Sequence, residues 1–144
     1  MEKTNISIIL PIHELDDVTK KSLENAIKSV ELQIVRPDEL IIVVPKGSDT
    51  AKYVKKLDFG EIKDIVTVAD NDGETDFCSQ INYGVSIANS EWISILEYDD
   101  EYAKIWFKNV IEYRTAHPNV DLFLPIVIDV DSQGQFIGFT NELT

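Results

Sequence analysis

The sequence predicts an α/β fold: a mainly parallel central sheet between layers of helix, with a β-hairpin late in the chain. Three observations carry this expectation. Four short apolar runs of strand length, residues 6–10, 39–44, 64–69 and 92–96, recur along the 144 residues. Stretches with helical apolar spacing separate them, and strand–helix alternation is the pattern of parallel sheets with crossover helices. Each run also ends in a polar or acidic loop, and open α/β sheets bind their ligands at the carboxyl ends of their strands.

Residues 6–10 form the first strand, in the middle of the sheet, and Pro11 stops it. Ile12, His13 and Glu14 make the loop at its carboxyl end. Asp16 or Asp17 caps the next helix. Leu23, Ala26, Ile27, Val30 and Ile34 form its buried stripe, and the helix ends before Pro37. Residues 39–44 are the second strand, followed by a loop from Pro45 to Asp49. A short helix over 50–57 breaks at Phe59-Gly60. A third strand over 64–69 leads into the turn Asp70-Asn71-Asp72-Gly73.

Thr75 or Asp76 caps a helix whose apolar face is Phe77, Ile81, Val85 and Ala88. Gly84 inside that helix costs about 1 kcal/mol relative to Ala, and close helix–sheet packing accounts for it. The fourth strand, residues 92–96, is expected to be buried. A helix over 103–116 stops at Pro118, and residues 120–124 restart strand. Residues 126–130 and 136–139 flank Asp131-Ser132-Gln133-Gly134 as a hairpin.

Composition narrows the function. The length is that of one domain, and 44% hydrophobic residues suffice for a core. A net charge of −13 argues against sequence-independent binding to nucleic acid and against attachment to anionic membranes. No apolar run approaches the roughly 20 residues of a bilayer span. The lone Cys78 fits a reducing compartment, and residues 1–5 lack a basic leader before an apolar region, so a cytoplasmic protein is expected. Homo-oligomerisation is left open.

The chemistry concentrates in one stretch, Glu97-Tyr98-Asp99-Asp100-Glu101, directly after the fourth apolar run. Burying these carboxylates unpaired would be costly, so they belong outside the strand end. Carboxylates gathered there suit a hard divalent cation carrying a phosphorylated ligand. The other reading is a solvated strand-to-helix turn with Asp100 or Glu101 as a cap. The remaining strand ends bring His13 and Glu14, then Lys46, Ser48 and Asp49, then Asp70, Asn71 and Asp72. A receiver or phosphatase-like domain needs an Asp nucleophile after the first strand, where this chain has Pro11-Ile12-His13-Glu14.

These segments resemble the nucleotide-sugar-binding half of family 2 glycosyltransferases of the GT-A fold. Ile6-Ser7-Ile8-Ile9-Leu10-Pro11 is similar to that family's opening strand. Leu40 to Asp49 is similar to its second strand and Asp-Asp-Gly-Ser loop. Asn71-Asp72-Gly73 and Asn82-Tyr83-Gly84-Val85 resemble its Asn-x-Gly and Arg-Asn-x-Gly-Ile elements. Glu91 to Glu101 resembles the segment ending in its Asp-x-Asp motif.

The resemblance runs from about Ile6 to Pro125. It implies a Rossmann-like α/β/α sandwich forming a single donor-binding domain, 1–144, without most of the acceptor-binding half. It also implies a metal-dependent transferase that takes a nucleotide diphosphate sugar, a UDP-sugar, to an unknown sugar, lipid or protein acceptor. Asp99 takes the place of the Mn- or Mg-binding Asp, with Asp100 beside it. Glu97 stands near the ribose or a metal-bound water. With a donor of that kind, Pro11, His13, Glu14, Lys46, Asp72, Asn82 and Tyr98 at the strand ends and on the following helix are the further expected donor-nucleotide contacts.

Some positions depart from the family. Pro45-Lys46 replaces its Asp-Asp, so Lys46 either meets a phosphate or is a solvated loop lysine. Ile81 replaces its Arg. His13 either stacks on a base or is structural. Inverting transfer needs a carboxylate base at the acceptor. The late acids Asp129, Asp131 and Glu142 offer no clear one, so the catalytic residues stay unassigned. The alternative function is a non-catalytic or truncated nucleotide-sugar-binding module.

Overall fold

A computed structural model of the chain describes residues 3–140. Strand β1 (Ile6–Pro11) is buried at every position. Parallel strands flank it on both sides, β2 (Glu39–Pro45) and β4 (Trp92–Ile95). β3 (Val66–Asn71) joins β2, giving the order β3-β2-β1-β4. Ile9, Ile41, Val43 and Ala69 form the core on one face, against Ile81, Tyr83, Ala88 and Ile93. Ile8, Leu10, Leu40, Ile42 and Val44 point to the other face by strand alternation and are equally buried. Burial on both faces is why the central strands are continuously apolar in sequence. This is the expected α/β fold with β1 inside the sheet.

Between β1 and β2 runs α1 (Asp17–Glu31), capped by Asp16. The Asp16 carboxylate accepts the Thr19 N–H at 2.8 Å, and the Thr19 hydroxyl oxygen accepts the Asp16 N–H at 2.7 Å. Leu23, Ala26, Ile27 and Val30 are buried as the spacing predicts. Ile34 is not: it lies past the end of the helix and is 63% exposed. Gln33 takes the buried place instead, donating to the carbonyls of Ser29 and Ala103 at 3.1 and 2.8 Å.

After β2 comes α2 (Asp49–Lys55), capped by Ser48. A 3-10 turn, Gly60–Ile65, then buries Ile62, and it delays β3 by two residues relative to expectation. Asp70 and Asn71, expected in a turn, therefore pair as strand residues with Val44 and Pro45.

Helix α3 (Phe77–Ile87) is capped by Asp76, whose carboxylate accepts the Ser79 N–H. Its fully buried positions are Gln80 and Gly84; of the expected face, Ile81 and Ala88 pack half-buried against the core, whereas Phe77 and Val85 are exposed. The cause is close approach to the sheet. A Cβ at Gly84 would stand 2.6 Å from Ile9 Cγ2 and 3.1 Å from Val43 Cγ2. β4 is not the buried strand expected. Among the described residues it has β1 as its sole neighbour, and Ile95 is half exposed. Leu96, just past it, is buried and donates its N–H to the Ile9 carbonyl at 3.0 Å. Helix α4 (Trp106–Ala116) starts three residues later than expected and buries Phe107 and Val110.

The chain divides into two units, Met1–Ile111 and Glu112–Thr144. The second contains an antiparallel hairpin, β5 (Ile128–Val130) and β6 (Phe136–Phe139), as expected. Asp131 closes it by accepting the N–H groups of Gln133 and Gln135 at 2.8 and 2.9 Å. Residues 120–124 are not strand. No described strand pairs with them, and Leu122 and Leu124 are 70% and 80% exposed.

Candidate functional site

All four parallel strands deliver their carboxyl ends to one edge of the sheet. There a cavity of about 70 Å³ opens, lined by Pro11, Ile12 and His13 after β1, by Glu97 and Tyr98 after β4, and by Phe77 and Gln80 of α3. Four residues expected at a ligand, Pro11, His13, Glu97 and Tyr98, are thus brought together. Pro11, the last residue of β1, lies beyond the final β1–β4 pair, Ile9–Ile95.

Glu97 belongs to a second grouping as well. Carboxylate oxygens of Glu97, Asp99 and Asp100 all lie within 4.8 Å of one another. The local chain makes this possible. The turn at Tyr98-Asp99 is closed by the Asp100 N–H donating to the Glu97 carbonyl at 3.1 Å. All three side chains are exposed; partial desolvation, followed by the neighbouring charges of Asp100 and Asp99, raises the Glu97 pKa from its ordinary value. Oxygen ligands sit about 2.0–2.6 Å from Mg or Ca, so two on one ion are separated by no more than about 5 Å. The three carboxylates meet that limit, and their hard donor set fits a hard divalent cation.

The other expected residues lie outside the cavity lining. Glu14 is exposed in the loop after β1, and Asn82 is exposed on α3. Lys46 and Asp72, at the ends of β2 and β3, form an exposed ion pair at 3.7 Å. The Lys46 N–H also donates to the Asn71 carbonyl at 3.0 Å. Asp129 accepts a hydrogen bond from the Thr140 hydroxyl, and Asp131 is used by its turn. Glu142 lies outside the described residues.

Sequence reasoning missed Ile12, Phe77 and Gln80 as cavity residues. Apolar spacing assigns Phe77 to the core, yet it is 45% exposed at the cavity. Gln80 is fully buried, and one signal pointed to it: it stands one helical turn before Gly84, the position of closest approach to the sheet.

Comparison with known proteins gives a consistent picture. The family described as glycosyl transferase family 2 matches residues 7–138. No curated protein matches the chain. Among solved structures, S. aureus TarS superposes with a TM-score of 0.61 at 19% identity, over 78% of this chain and 20% of that one. TarS 1–349 gives 0.63 at 15% identity, over 90% of this chain and 42% of that one. TarS 1–349 in complex with UDP gives 0.63 at 18% identity, over 78% and 32%. Likeness at these identities bears on the fold, and this chain spans less than half the length of each of these structures.

Proposed function

Because the chain belongs to glycosyl transferase family 2, we propose that it is the donor-binding core of a metal-dependent glycosyltransferase. Its donor is a nucleoside diphosphate sugar, namely a UDP-sugar. The observation that carries this reading is the double position of Glu97. It lines a cavity bounded by Pro11, Ile12, Phe77 and Tyr98 and belongs to the carboxylate cluster with Asp99 and Asp100. A uridine seated in the cavity would therefore have its diphosphate beside the cluster. Solved complexes of TarS 1–349 with UDP and with UDP-GlcNAc support uridine as the nucleoside.

Each residue then has a role. His13, Phe77 and Tyr98 flank the base, Glu97 meets the ribose, and Lys46 with Asp72 stands at the rim near the phosphates. Asp99, aided by Asp100, holds Mn or Mg. Such an ion, when bound, neutralises charge that builds on the leaving diphosphate. Glu14 and Asn82 contact donor groups that extend beyond the cavity. The acceptor is a sugar, lipid or protein. A cytoplasmic location accords with the free Cys78.

A second reading, donor binding without transfer, is favoured by Lys46 and Ile81 at positions where the family resemblance implies an acid and an arginine.

The test is UDP binding by calorimetry or NMR, with and without Mn. Asp99→Asn should lose the Mn-dependent part of UDP affinity and keep the fold. Unchanged affinity would remove Asp99 from the metal site. Binding without release of UDP from a UDP-sugar would favour the second reading.

A further inference from the structure

Gln80 is a fully buried polar residue that lines the cavity, and its side-chain bonds go to the protein. Its Nε2 donates to the Ile12 carbonyl at 2.9 Å and to the Val43 carbonyl at 3.4 Å. Its Oε1 accepts from Asn71 Nδ2 at 2.8 Å. Asn71 is buried too. It donates to the Glu74 carbonyl at 2.9 Å and accepts the Gly73 N–H at 3.0 Å. Two side-chain amides thus link the carboxyl ends of β1, β2 and β3 to the start of α3.

The relay is a poor reader of a ligand's polar edge. A primary amide has two N–H donors, and both of Gln80's are engaged by backbone carbonyls. It is well made for holding geometry, because a buried network with its members satisfied is rigid and directional. What it holds is Ile12, which lines the cavity between Pro11 and His13.

We propose that Gln80, acting with Asn71, is a positioning residue for the donor site. It sets the distance between the β1 loop and Phe77 that a planar nucleobase fills. This rests on the donor-binding reading above. Carbon atoms in contact sit about 3.5–4.0 Å apart, and a gap of under an ångström forfeits much of the attraction. A base slot is therefore sensitive to small movements of Pro11, Ile12 and His13. Neither Gln80 nor Asn71 bonds to a carboxylate of the cluster, so affinity for the cation alone can be read separately from the slot.

The test is Gln80→Met, which keeps length and removes the hydrogen bonds, assayed well below its melting temperature. UDP affinity in saturating Mn should fall by about tenfold or more, while affinity for Mn alone stays unchanged. A variant that melts lower but binds UDP as the wild type does overturns the proposal, since Gln80 would then be purely structural. A second measurement needs no variant. The side-chain amide resonances of Gln80 and Asn71 in the wild type should shift when UDP is added with Mg, and unmoved resonances overturn the proposal. A wild type that shows no UDP response at all overturns the donor reading, and this proposal with it.

Discussion

Glu97 is set among like charges, with the Asp99 and Asp100 carboxylates within 4.8 Å. Partial desolvation and the neighbouring Asp100 and Asp99 carboxylates raise its pKa, although the side chain is exposed. A carboxyl whose folded pKa exceeds its unfolded one destabilises the fold when ionised. That penalty is absent at low pH and grows as pH rises through the carboxylate range. Glu97→Gln should therefore melt higher than the wild type at about pH 7 without metal, and the gain should vanish near pH 4. Equal melting at both values would mean that the cluster exerts no strain. Added Mn should reverse the order, stabilising the wild type more than the variant. The carboxylate cluster was legible because acids that follow an apolar run directly must leave the core where that run ends. Gln80 was not, because a glutamine on a helix reads as surface until its hydrogen-bond partners are seen. Those partners, Ile12 and Asn71, come from other elements.

At the scale of elements, Gly84 shows how one side chain sets a helix's place. Helical Gly→Ala ordinarily gains about 1 kcal/mol. Here the added Cβ would meet Ile9 Cγ2 at 2.6 Å, and overpacking a core typically costs about 1–3 kcal/mol. Gly84→Ala should lower the urea midpoint with the m-value unchanged, and a raised midpoint would refute the close-packing account. Close packing was legible from the glycine itself. The buried face of α3 was legible in part: apolar spacing selects Ile81 and Ala88, which pack on the core, but also Phe77 and Val85, while closest contact with the sheet falls to Gln80 and Gly84. The start of β3 differs from expectation by two residues because nothing in the local pattern marks the 3-10 turn ahead of it. Residues 120–124 have strand composition but no strand assignment, because a strand also needs a partner with which to form a ladder.

For the whole molecule, strand–helix alternation was enough to predict a parallel sheet with β1 inside it. The full order β3-β2-β1-β4 was not legible, because pairing depends on how the crossovers pack. That order also has a history in time. β1 meets β2, and β2 meets β3, across single short crossovers, whereas β1 meets β4 by joining Ile6 to Trp92. Contacts between residues far apart in the chain close late in folding. In pulse-labelled hydrogen exchange, the Trp92 and Leu96 amides that bond to Asn5 and Ile9 should gain protection after the amides of β1 and β2. Simultaneous protection would contradict this sequence of events. Since β4 carries the acids at its end, Glu97 comes to line the cavity with Pro11 and His13 only when β4 has joined β1. A chain with β4 still unpaired would carry its acids on their own local turn, apart from the strand ends that line the cavity.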